Sequence, residues 1–440
     1  MKVIVAGSGG REHAISYRLA LSSKVDEVIC VPGNGGTEFE AKCRNIEPES
    51  GVPFIESFVK IAKAEKADFA VIGPEDPLAD GIADALWNEN IPTVGPKSKG
   101  AALEASKDLS KVFMKKYGVA CADSATFTEK DKAIAYVKEK GAPIVIKADG
   151  LAAGKGVVVA KTLDEALKAV DELMSGSAVG DAGKKLVIEE YLQGVEISVL
   201  AAVSVNPEKP EAACIKPFLP ARDHKRLLDG AKGPNTGGMG AVCPLSDVTG
   251  ETMRQFDERI LKPTLKGLIE EKIDYRGFIF FGLMITKDGP KALEYNVRLG
   301  DPETQAVLPL MDFDFADLCK SITDGTLSSF ELKWKEGFQV APVIVSGGYP
   351  LKYAKGKAIK FDEGKISASK AKVFIAGAVK DKSSTDKTLV TSGGRVLACS
   401  CFGRTFDEAW KAAYDAISGI TFDGAFYRKD IGLPGAAESN

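Results

Sequence analysis

The chain opens with Lys2-Val3-Ile4-Val5-Ala6-Gly7-Ser8-Gly9-Gly10, a β-branched apolar run followed by a glycine-rich turn. The run predicts a buried parallel strand, and the residues from Arg11 to about Leu21 predict a helix. Strand-like and helix-like segments keep alternating up to about Pro96. This alternation is typical of a doubly wound α/β domain, in which ligands lie at the carboxyl ends of the parallel strands.

Beyond this region the pattern changes twice, which predicts a multidomain protein of mixed α/β and α+β class. Strand-like runs at 143–148 and 157–160 flank a glycine-rich tip and predict a hairpin. After about Ser329 short strand-like runs dominate, and a capped amphipathic helix follows at 406–417. The predicted parts are a doubly wound domain at 1–104, a central domain at 105–328 and a small β-rich domain at 329–440. A smaller lid-like subdomain is predicted at about 122–192.

Composition argues against several classes of function. Lysine and arginine number 58 against 61 acidic residues, so no global positive field draws the chain to nucleic acid or to an anionic membrane. No secretory signal and no long apolar span are found, and none of the eight cysteines forms a CxxC pair. We therefore expect a cytoplasmic protein with reduced thiols. Two histidines and no GxSxG elbow argue against a zinc site and a hydrolase triad.

The hairpin tip Gly150-Leu151-Ala152-Ala153-Gly154-Lys155-Gly156 is built from small residues and one lysine. Small residues let backbone N–H groups approach an anion, and Lys155 adds a positive charge. Lys147 stands just upstream in an apolar strand, where a cation is costly to bury without an anionic partner. The tip therefore favours phosphate binding, with a simple hairpin turn as the alternative.

Two further segments have the composition of ligand sites. Glu189-Glu190-Tyr191-Leu192 closes an apolar strand, where carboxylates either accept hydrogen bonds from a nucleotide or form a solvated strand end. The small-residue loop at 233–240 follows the charged cluster Arg222-Asp223-His224-Lys225-Arg226. A glycine-rich loop beside a basic cluster favours an anionic ligand over a solvated surface.

The most informative segment is Leu293-Glu294-Tyr295-Asn296-Val297-Arg298-Leu299-Gly300-Asp301-Pro302-Glu303. In an extended segment Glu294, Asn296 and Arg298 share one face. Two hard oxygen ligands suit Mg²⁺, and a guanidinium beside them can stabilise charge on a transferring phosphoryl group. The alternative, a surface ladder of polar residues, is weakened by the Gly-Asp-Pro-Glu turn that follows.

In this order, these motifs resemble the phosphoribosylamine–glycine ligases, also called glycinamide ribonucleotide synthetases, a family of ATP-grasp enzymes. The resemblance runs from residues 7–14 to residues 427–432, and its most specific motifs lie at 223–226, 233–241 and 298–303. It implies that the central domain is an ATP-grasp domain. One departure is that Leu283 and Met284 lie on the strand where many ATP-grasp enzymes have an acidic metal ligand, which leaves the number of metal ions open.

The resemblance implies that glycine, 5-phosphoribosylamine and ATP give glycinamide ribonucleotide, ADP and phosphate, a step of de novo purine biosynthesis. A carboxylate is a poor electrophile, so ATP first converts glycine to glycyl phosphate, which the sugar amine then attacks. Catalysis would rest on positioning and electrostatic stabilisation. The implied cofactors are ATP and Mg²⁺ or Mn²⁺, and the implied partners are the two small substrates, bound by a monomer or weak dimer without nucleic acid or membrane.

The resemblance also implies a role for each matching residue. Arg298 and Asp223 would act in catalysis, and Glu294 and Asn296 would ligate the metal. The residues implied to bind ATP are Lys107, Lys147, Gly154, Lys155, Gly156, Glu189, Glu190, Leu192 and Glu196. Those implied to surround glycine are Thr236, Gly237, Gly238, Met239, Gly300, Asp301, Pro302 and Glu303. Those implied to hold the phosphoribosylamine are Gly9, Gly10, Arg11, Glu12, Asn34, Glu75, Asp76 and Leu78.

Other interpretations remain at this point. One is another ATP-grasp carboxylate–amine ligase, or a biotin-type carboxylase. A second is an NAD-dependent oxidoreductase, although the loop at 7–12 has Glu12 where a GxGxxG fingerprint has glycine. A third is a non-catalytic nucleotide sensor, which would lack Glu294 or Arg298; both are present.

Overall fold

The amino-terminal part of the chain forms a parallel sheet in the computed structural model, which describes residues 1–150, 156–176, 180–384, 386 and 388–437. The strands are β1 (Lys2–Gly7), β2 (Glu27–Pro32), β3 (Cys43–Asn45), β4 (Phe69–Ile72) and β5 (Thr93–Val94). The helices are α1 (Gly10–Ala20), α2 (Phe54–Ala64), α3 (Glu75–Ala79), α4 (Ile82–Asn88) and α5 (Ser98–Ala105). The spatial order β3-β2-β1-β4-β5 confirms the doubly wound sheet. The loops after β1 and β4 therefore lie side by side, where ligands bind in such sheets.

An antiparallel sheet contains the predicted hairpin. Its strands are β6 (Ser124–Phe127), β7 (Ile144–Ala148), β8 (Val157–Ala160) and β9 (Leu186–Glu190), in the order β6-β9-β7-β8. Helix α6 (Lys107–Tyr117) precedes this sheet, and α7 (Lys130–Lys140) and α8 (Leu163–Met174) share its apolar core. Ile144 pairs with Ala160, which confirms the hairpin. Its tip residues at 151–155, including Gly154 and Lys155, lie outside the described residues.

The middle of the chain adds a larger antiparallel sheet. The strands in this region are β10 (Val195–Val205), β11 (Cys214–Pro217), β12 (Arg222–Asp223), β13 (Arg226–Leu228), β14 (Lys232–Asn235), β15 (Gly240–Cys243), β16 (Tyr275–Thr286) and β17 (Gly289–Asn296). The helices are α9 (Gly250–Phe256), α10 (Lys262–Glu270), α11 (Glu303–Val307) and α12 (Phe315–Asp324). Four of the strands form the sheet β11-β10-β16-β17, in which Glu294 pairs with Gly282.

The carboxy-terminal part is rich in β-structure, as predicted. It contains β18 (Phe338–Val345), β19 (Lys360–Phe361), α13 (Glu363–Ala368), β20 (Lys372–Ile375), β21 (Ala378–Lys380), β22 (Leu389–Thr391), β23 (Arg395–Gly403), α14 (Phe406–Ile417) and β24 (Ile420–Thr421). Its main sheet has the order β12-β15-β18-β23-β20. Two strands of that sheet come from the middle of the chain, and one of them holds Asp223 opposite Ala241. The carboxy-terminal sheet therefore positions a predicted catalytic residue.

The amino-terminal sheet is joined to the central sheet by a close backbone contact. Gly95 N donates to Arg276 O at 2.7 Å. A Cβ atom on Gly277 would lie 2.9 Å from the Gly95 backbone, so glycine is required for this approach. The contact fixes the amino-terminal loops relative to β16 and β17. Across the described ranges, none of the helices has the length and apolarity needed to span a membrane.

Candidate active site

Glu12 organises the loop that follows β1. Its Oε2 accepts a hydrogen bond from Gly9 N at 2.6 Å, and its Oε1 accepts one from Arg11 Nε. A Cβ atom on Gly7 would lie 2.5 Å from Glu12 Cγ, and one on Gly73 would also overlap the Glu12 side chain. These glycines therefore make room for a buried carboxylate that shapes the loop.

Arg11 connects this loop to the turn at 300–303. Its backbone N–H donates to Asp301 Oδ2 at 3.2 Å, and its Nη1 donates to Leu299 O at 3.2 Å. The same Nη1 lies 3.6 Å from Glu75 Oε2. Three predicted substrate residues from distant parts of the sequence, Arg11, Glu75 and Asp301, therefore meet at one place.

Three other predicted substrate residues of the amino-terminal domain have different surroundings. The Asn34 amide donates to Ser8 O at 2.9 Å and to Ile375 O at 2.8 Å, which braces the loop. Leu78 is fully buried in the core, and Asp76 is exposed. Asn34 and Leu78 can therefore contribute to a ligand site through the shape of the backbone.

Arg298 is held between two carboxylates at the end of β17. Its Nε lies 3.1 Å from Glu75 Oε2, and its Nη2 lies 2.9 Å from Glu104 Oε1. Glu104 Oε2 accepts a hydrogen bond from Val297 N at 2.7 Å. Burial raises the pKa of Glu104, and the Arg298 charge opposes that rise. The guanidinium is thus fixed before a substrate binds, as electrostatic preorganisation requires.

Glu294 lies in a strongly positive environment. Burial opposes ionisation of this carboxyl, but the charges of Lys225, Lys147, Lys107 and Arg298 hold its pKa below its ordinary value. Asn296 Nδ2 donates to Tyr295 O at 2.9 Å, which leaves Asn296 Oδ1 as an acceptor two residues along the same strand. Glu294 and Asn296 therefore offer two hard oxygen ligands among four cations.

The oxygen atoms of Glu294 and Asn296 fit a magnesium site with few protein ligands. No group of three or more His, Cys, Asp or Glu residues suited to a metal occurs in the part of the chain that the structure describes. Mg²⁺ commonly takes one or two protein oxygens and completes its shell with phosphate and water. Glu294 and Asn296 suit an ion bound together with nucleotide phosphates, which the surrounding cations would also attract.

Lys147 and Lys111 share the buried carboxylate of Glu189. Lys147 Nζ lies 3.0 Å from Glu189 Oε1, and Lys111 Nζ lies 3.1 Å from Glu189 Oε2. All three side chains are buried. Two buried cations on one carboxylate leave a net positive charge that a phosphate would neutralise.

Lys107 and Gly156 lie at the base of the hairpin. Lys107 Nζ donates to Gly150 O at 2.7 Å, and Gly156 O accepts from Ala148 N at 2.7 Å.

A small apolar cluster lies beside the end of β9. It consists of Ala122, Leu192 and Met284, with Leu293 packed against it. Next to it, Glu190 Oε1 accepts hydrogen bonds from Asp123 N at 3.1 Å and from Lys291 Nζ at 2.8 Å. An apolar surface with polar groups at its rim suits a nucleotide base.

Asp223 and Glu303 form a pair of carboxyl groups: Glu303 is buried, and Asp223 is half-buried with its Oδ1 covered. Burial and the charge of Glu303 raise the pKa of Asp223 well above its ordinary value. Burial also raises the pKa of Glu303, whose Oε1 accepts a hydrogen bond from Ser198 Oγ at 2.9 Å. Within the described residues, the buried Oδ1 of Asp223 has no hydrogen-bond partner. A buried acceptor that lacks a hydrogen-bond partner suits a ligand that supplies N–H donors.

The glycine-rich loop packs directly against these carboxyl groups. A Cβ atom on Gly238 would lie 2.6 Å from Asp223 Oδ1, and Gly238 has a φ of +118°. Gly238 N donates to Thr236 Oγ1 at 3.0 Å, while Met239 is fully buried in the carboxy-terminal core. A Cβ atom on Gly300 would lie 2.5 Å from a Glu303 carboxylate oxygen. The loop and the turn therefore enclose the carboxyl pair on two sides.

The structure adds three charged residues that the sequence analysis did not single out: Glu104, Lys111 and Arg395. Each lies beside a predicted residue through packing between distant segments, for which the sequence has no local signal. Lys225 was identified only as part of a basic cluster; it forms an ion pair with Glu196 and faces Glu294. The sequence signal for Lys225 was its position beside the glycine-rich loop.

Models of one protein family match nearly the whole chain. The phosphoribosylglycinamide synthetase N domain matches residues 1–104, its ATP-grasp (A) domain matches residues 105–304, and its C domain matches residues 339–434. A phosphoribosylamine–glycine ligase of Clostridium acetobutylicum is 47% identical over 432 residues, covering 98% of this chain and 99% of the relative. One of Salmonella typhimurium is 44% identical over 436 residues, covering 98% of each.

Solved structures show the same relationship. The crystal structure of phosphoribosylamine–glycine ligase from Thermotoga maritima is 34% identical, with a TM-score of 0.82 over 98% of this chain and 100% of that chain. A biotin carboxylase–ATP complex from Campylobacter jejuni has a TM-score of 0.71 over 96% of this chain and 92% of that chain, but only 14% identity, which shows a shared fold alone. With this coverage and identity, the chain belongs to the phosphoribosylamine–glycine ligase family.

Proposed function

We propose that the chain joins glycine to 5-phosphoribosylamine, using ATP, to give glycinamide ribonucleotide, ADP and phosphate in purine biosynthesis. The observation that carries this proposal is that a site rich in positive charge lies near a site that contains two carboxyl groups. Lys107, Lys147, Lys225 and Arg298 surround Glu294, while Asp223 and Glu303 form a carboxyl pair nearby that Lys225 also influences. Phosphates suit the first environment, and the ammonium group of an amino acid suits the second.

In the first step a glycine carboxylate oxygen attacks the γ-phosphorus of ATP. The bond from that phosphorus to the β-phosphate oxygen breaks, and ADP leaves. Lys107 and Lys147 hold the phosphates, and Arg298 stabilises the charge that develops on the transferring group. Glu294 and Asn296 would hold Mg²⁺, or Mn²⁺, which when bound neutralises phosphate charge.

In the second step the amine of phosphoribosylamine attacks the carbonyl carbon of glycyl phosphate. The carbon–oxygen bond to phosphate breaks, and the new amide nitrogen loses a proton to solvent or to the departing phosphate. Asp223 and Glu303 bind glycine through its ammonium group. An ammonium has no lone pair, so this contact also keeps the amine of glycine from attacking the activated carboxyl group.

We also propose where the two remaining substrates bind. The apolar cluster of Ala122, Leu192 and Met284 would receive the adenine, with Glu190 at its rim. The segments at 9–12 and 75–78, which contain the first turns of α1 and α3, would hold the phosphoribosylamine. Arg11 places them beside Asp301, so the sugar amine would arrive next to the activated carboxyl group.

The test is ADP release by the purified chain, with phosphoribosylamine formed in place from ribose 5-phosphate and ammonia. We expect ADP release only when glycine, the sugar phosphate and ammonia are all present. Release that continues when glycine is replaced by bicarbonate would favour the carboxylase alternative and refute the proposal. A matched control contains ribose in place of ribose 5-phosphate, which forms no phosphorylated amine.

A further inference from the structure

Arg395 brings the carboxy-terminal domain into contact with both segments that enclose the carboxyl pair. It is the first residue of β23, and its side chain is 23% exposed. Its Nη1 donates to Asp301 O at 2.7 Å and to Gly237 O, and it lies 3.4 Å from Asp301 Oδ1. One guanidinium therefore bridges the glycine-rich loop and the turn at 300–303.

Tyr349 contacts the same loop residue, Gly237, at its backbone N–H group. The Tyr349 hydroxyl accepts a hydrogen bond from Gly237 N at 2.9 Å. A Cβ atom on Gly237 would lie 3.0 Å from Arg395 Cζ and 3.2 Å from the Tyr349 hydroxyl oxygen. The carboxy-terminal domain thus binds both the N–H and the carbonyl of Gly237, with little space left around it.

Arg395 and Tyr349 influence the carboxyl pair through residues that lie close to Asp223 and Glu303. Gly238 follows Gly237 and packs against Asp223, while Asp301 lies two residues before Glu303. The ATP side is held by different contacts, since Lys107 is bonded to Gly150 and Lys147 is paired with Glu189. A change at Arg395 would therefore displace one side of the site and leave the other in place.

We propose that Arg395 and Tyr349 are positioning residues through which the carboxy-terminal domain sets the affinity for the amino-acid substrate, but not for ATP. The inference rests on the proposed function for the identity of that substrate. It assigns to the carboxy-terminal domain a role in substrate recognition, which follows from contacts to Gly237 and Asp301 and not from contact with the reacting groups.

The test measures kcat and the KM values for glycine and ATP in the full chain, its Arg395→Ala, Arg395→Lys and Tyr349→Phe variants, and Arg254→Ala as a control. Arg254 is an exposed arginine on α9 that pairs with Glu251 and with Glu258, which lies just beyond that helix. For Arg395→Ala we expect the glycine KM to rise about 30-fold or more while kcat changes about threefold or less, because charged hydrogen bonds to two carbonyls are lost. The ATP KM should change by about twofold or less, and Tyr349→Phe should raise the glycine KM about fivefold.

Free guanidinium at millimolar concentration should restore part of the glycine affinity of Arg395→Ala, while Arg254→Ala should not respond. A merely structural role would weaken glycine and ATP binding alike, so the difference between the two KM values separates the two roles. A glycine KM within twofold of wild type in both Arg395→Ala and Tyr349→Phe would overturn the inference, as would equal losses for glycine and ATP. If Arg395→Ala fails to fold, Arg395→Lys and Tyr349→Phe decide the question alone. Absence of glycine-dependent ADP release in the wild-type chain would instead refute the proposed function.

Discussion

The surrounding structure controls the charges of two side chains of the candidate site in opposite ways. Arg298 is held by Glu75 and Glu104, so its guanidinium needs little rearrangement when charge develops on a transferring phosphoryl group. Asp223 is the opposite case, because burial and Glu303 make its ionised form unfavourable until a cation arrives. Each side chain leads to a separate prediction.

Arg298→Ala should lower kcat about 100- to 1,000-fold, because a preorganised donor to the transition state is removed. The ATP KM should change by about threefold or less, since Lys107 and Lys147 still hold the phosphates. Steady-state kinetics at varied ATP check both values, with Arg298→Lys as the matched variant that retains charge but not the planar donor pair. A large loss of ATP affinity with near-normal turnover at saturation would contradict the assigned role.

The kcat/KM for glycine should fall as the pH decreases. The midpoint of this fall should lie above the ordinary range of carboxyl pKa values. In the proposed role the ionised Asp223 binds the ammonium group and the protonated form does not, so activity should be lost as the pH falls through the raised pKa. The pH profile of kcat/KM checks this, and Asp223→Asn should remove most of the activity and flatten that limb. An acidic limb that is unchanged in Asp223→Asn would show that another group titrates.

At the scale of helices and strands, the contact between the amino-terminal and central sheets determines where the substrate loops lie. Gly277→Ala should destabilise the protein by about 1–3 kcal/mol, because its Cβ would overlap the Gly95 backbone, which cannot move aside as a flexible side chain can. Gly250→Ala is the matched control, since no atom lies within 4 Å of a Cβ at that position. Urea unfolding should show a lower midpoint for Gly277→Ala alone, and equal midpoints would argue against the close approach.

Elements set by local pattern were predicted well. Helix α14 has the bounds that its apolar periodicity predicts, and its capping box at Thr405 is present. The pairing of β15 with β18, which joins β12 and β15 to the carboxy-terminal sheet, was not predicted, because a strand of four residues has no local signal for a partner about 100 residues away. Arg395 and Glu104 were missed for the same reason, while Glu294 and Arg298 were found because strand alternation places them on one face.

At the scale of the whole molecule, the site is assembled from all three predicted parts of the chain. The turn at 300–303 receives Arg11 from the amino-terminal part and Arg395 from the carboxy-terminal part. Neither contact exists unless the three parts are packed together. In our proposal the reaction of three substrates would take place where the sheets meet, since each part contributes one side of the candidate site.

The central claim is that the chain activates a carboxylate by phosphoryl transfer, and an oxygen label tests it most directly. Glycine labelled with ¹⁸O in both carboxylate oxygens is supplied with ATP and phosphoribosylamine, and the released phosphate is analysed by mass spectrometry. Our account predicts that each phosphate carries one ¹⁸O, because glycyl phosphate transfers a carboxylate oxygen when the amine displaces it. Phosphate that contains no label while glycinamide ribonucleotide forms would contradict the account.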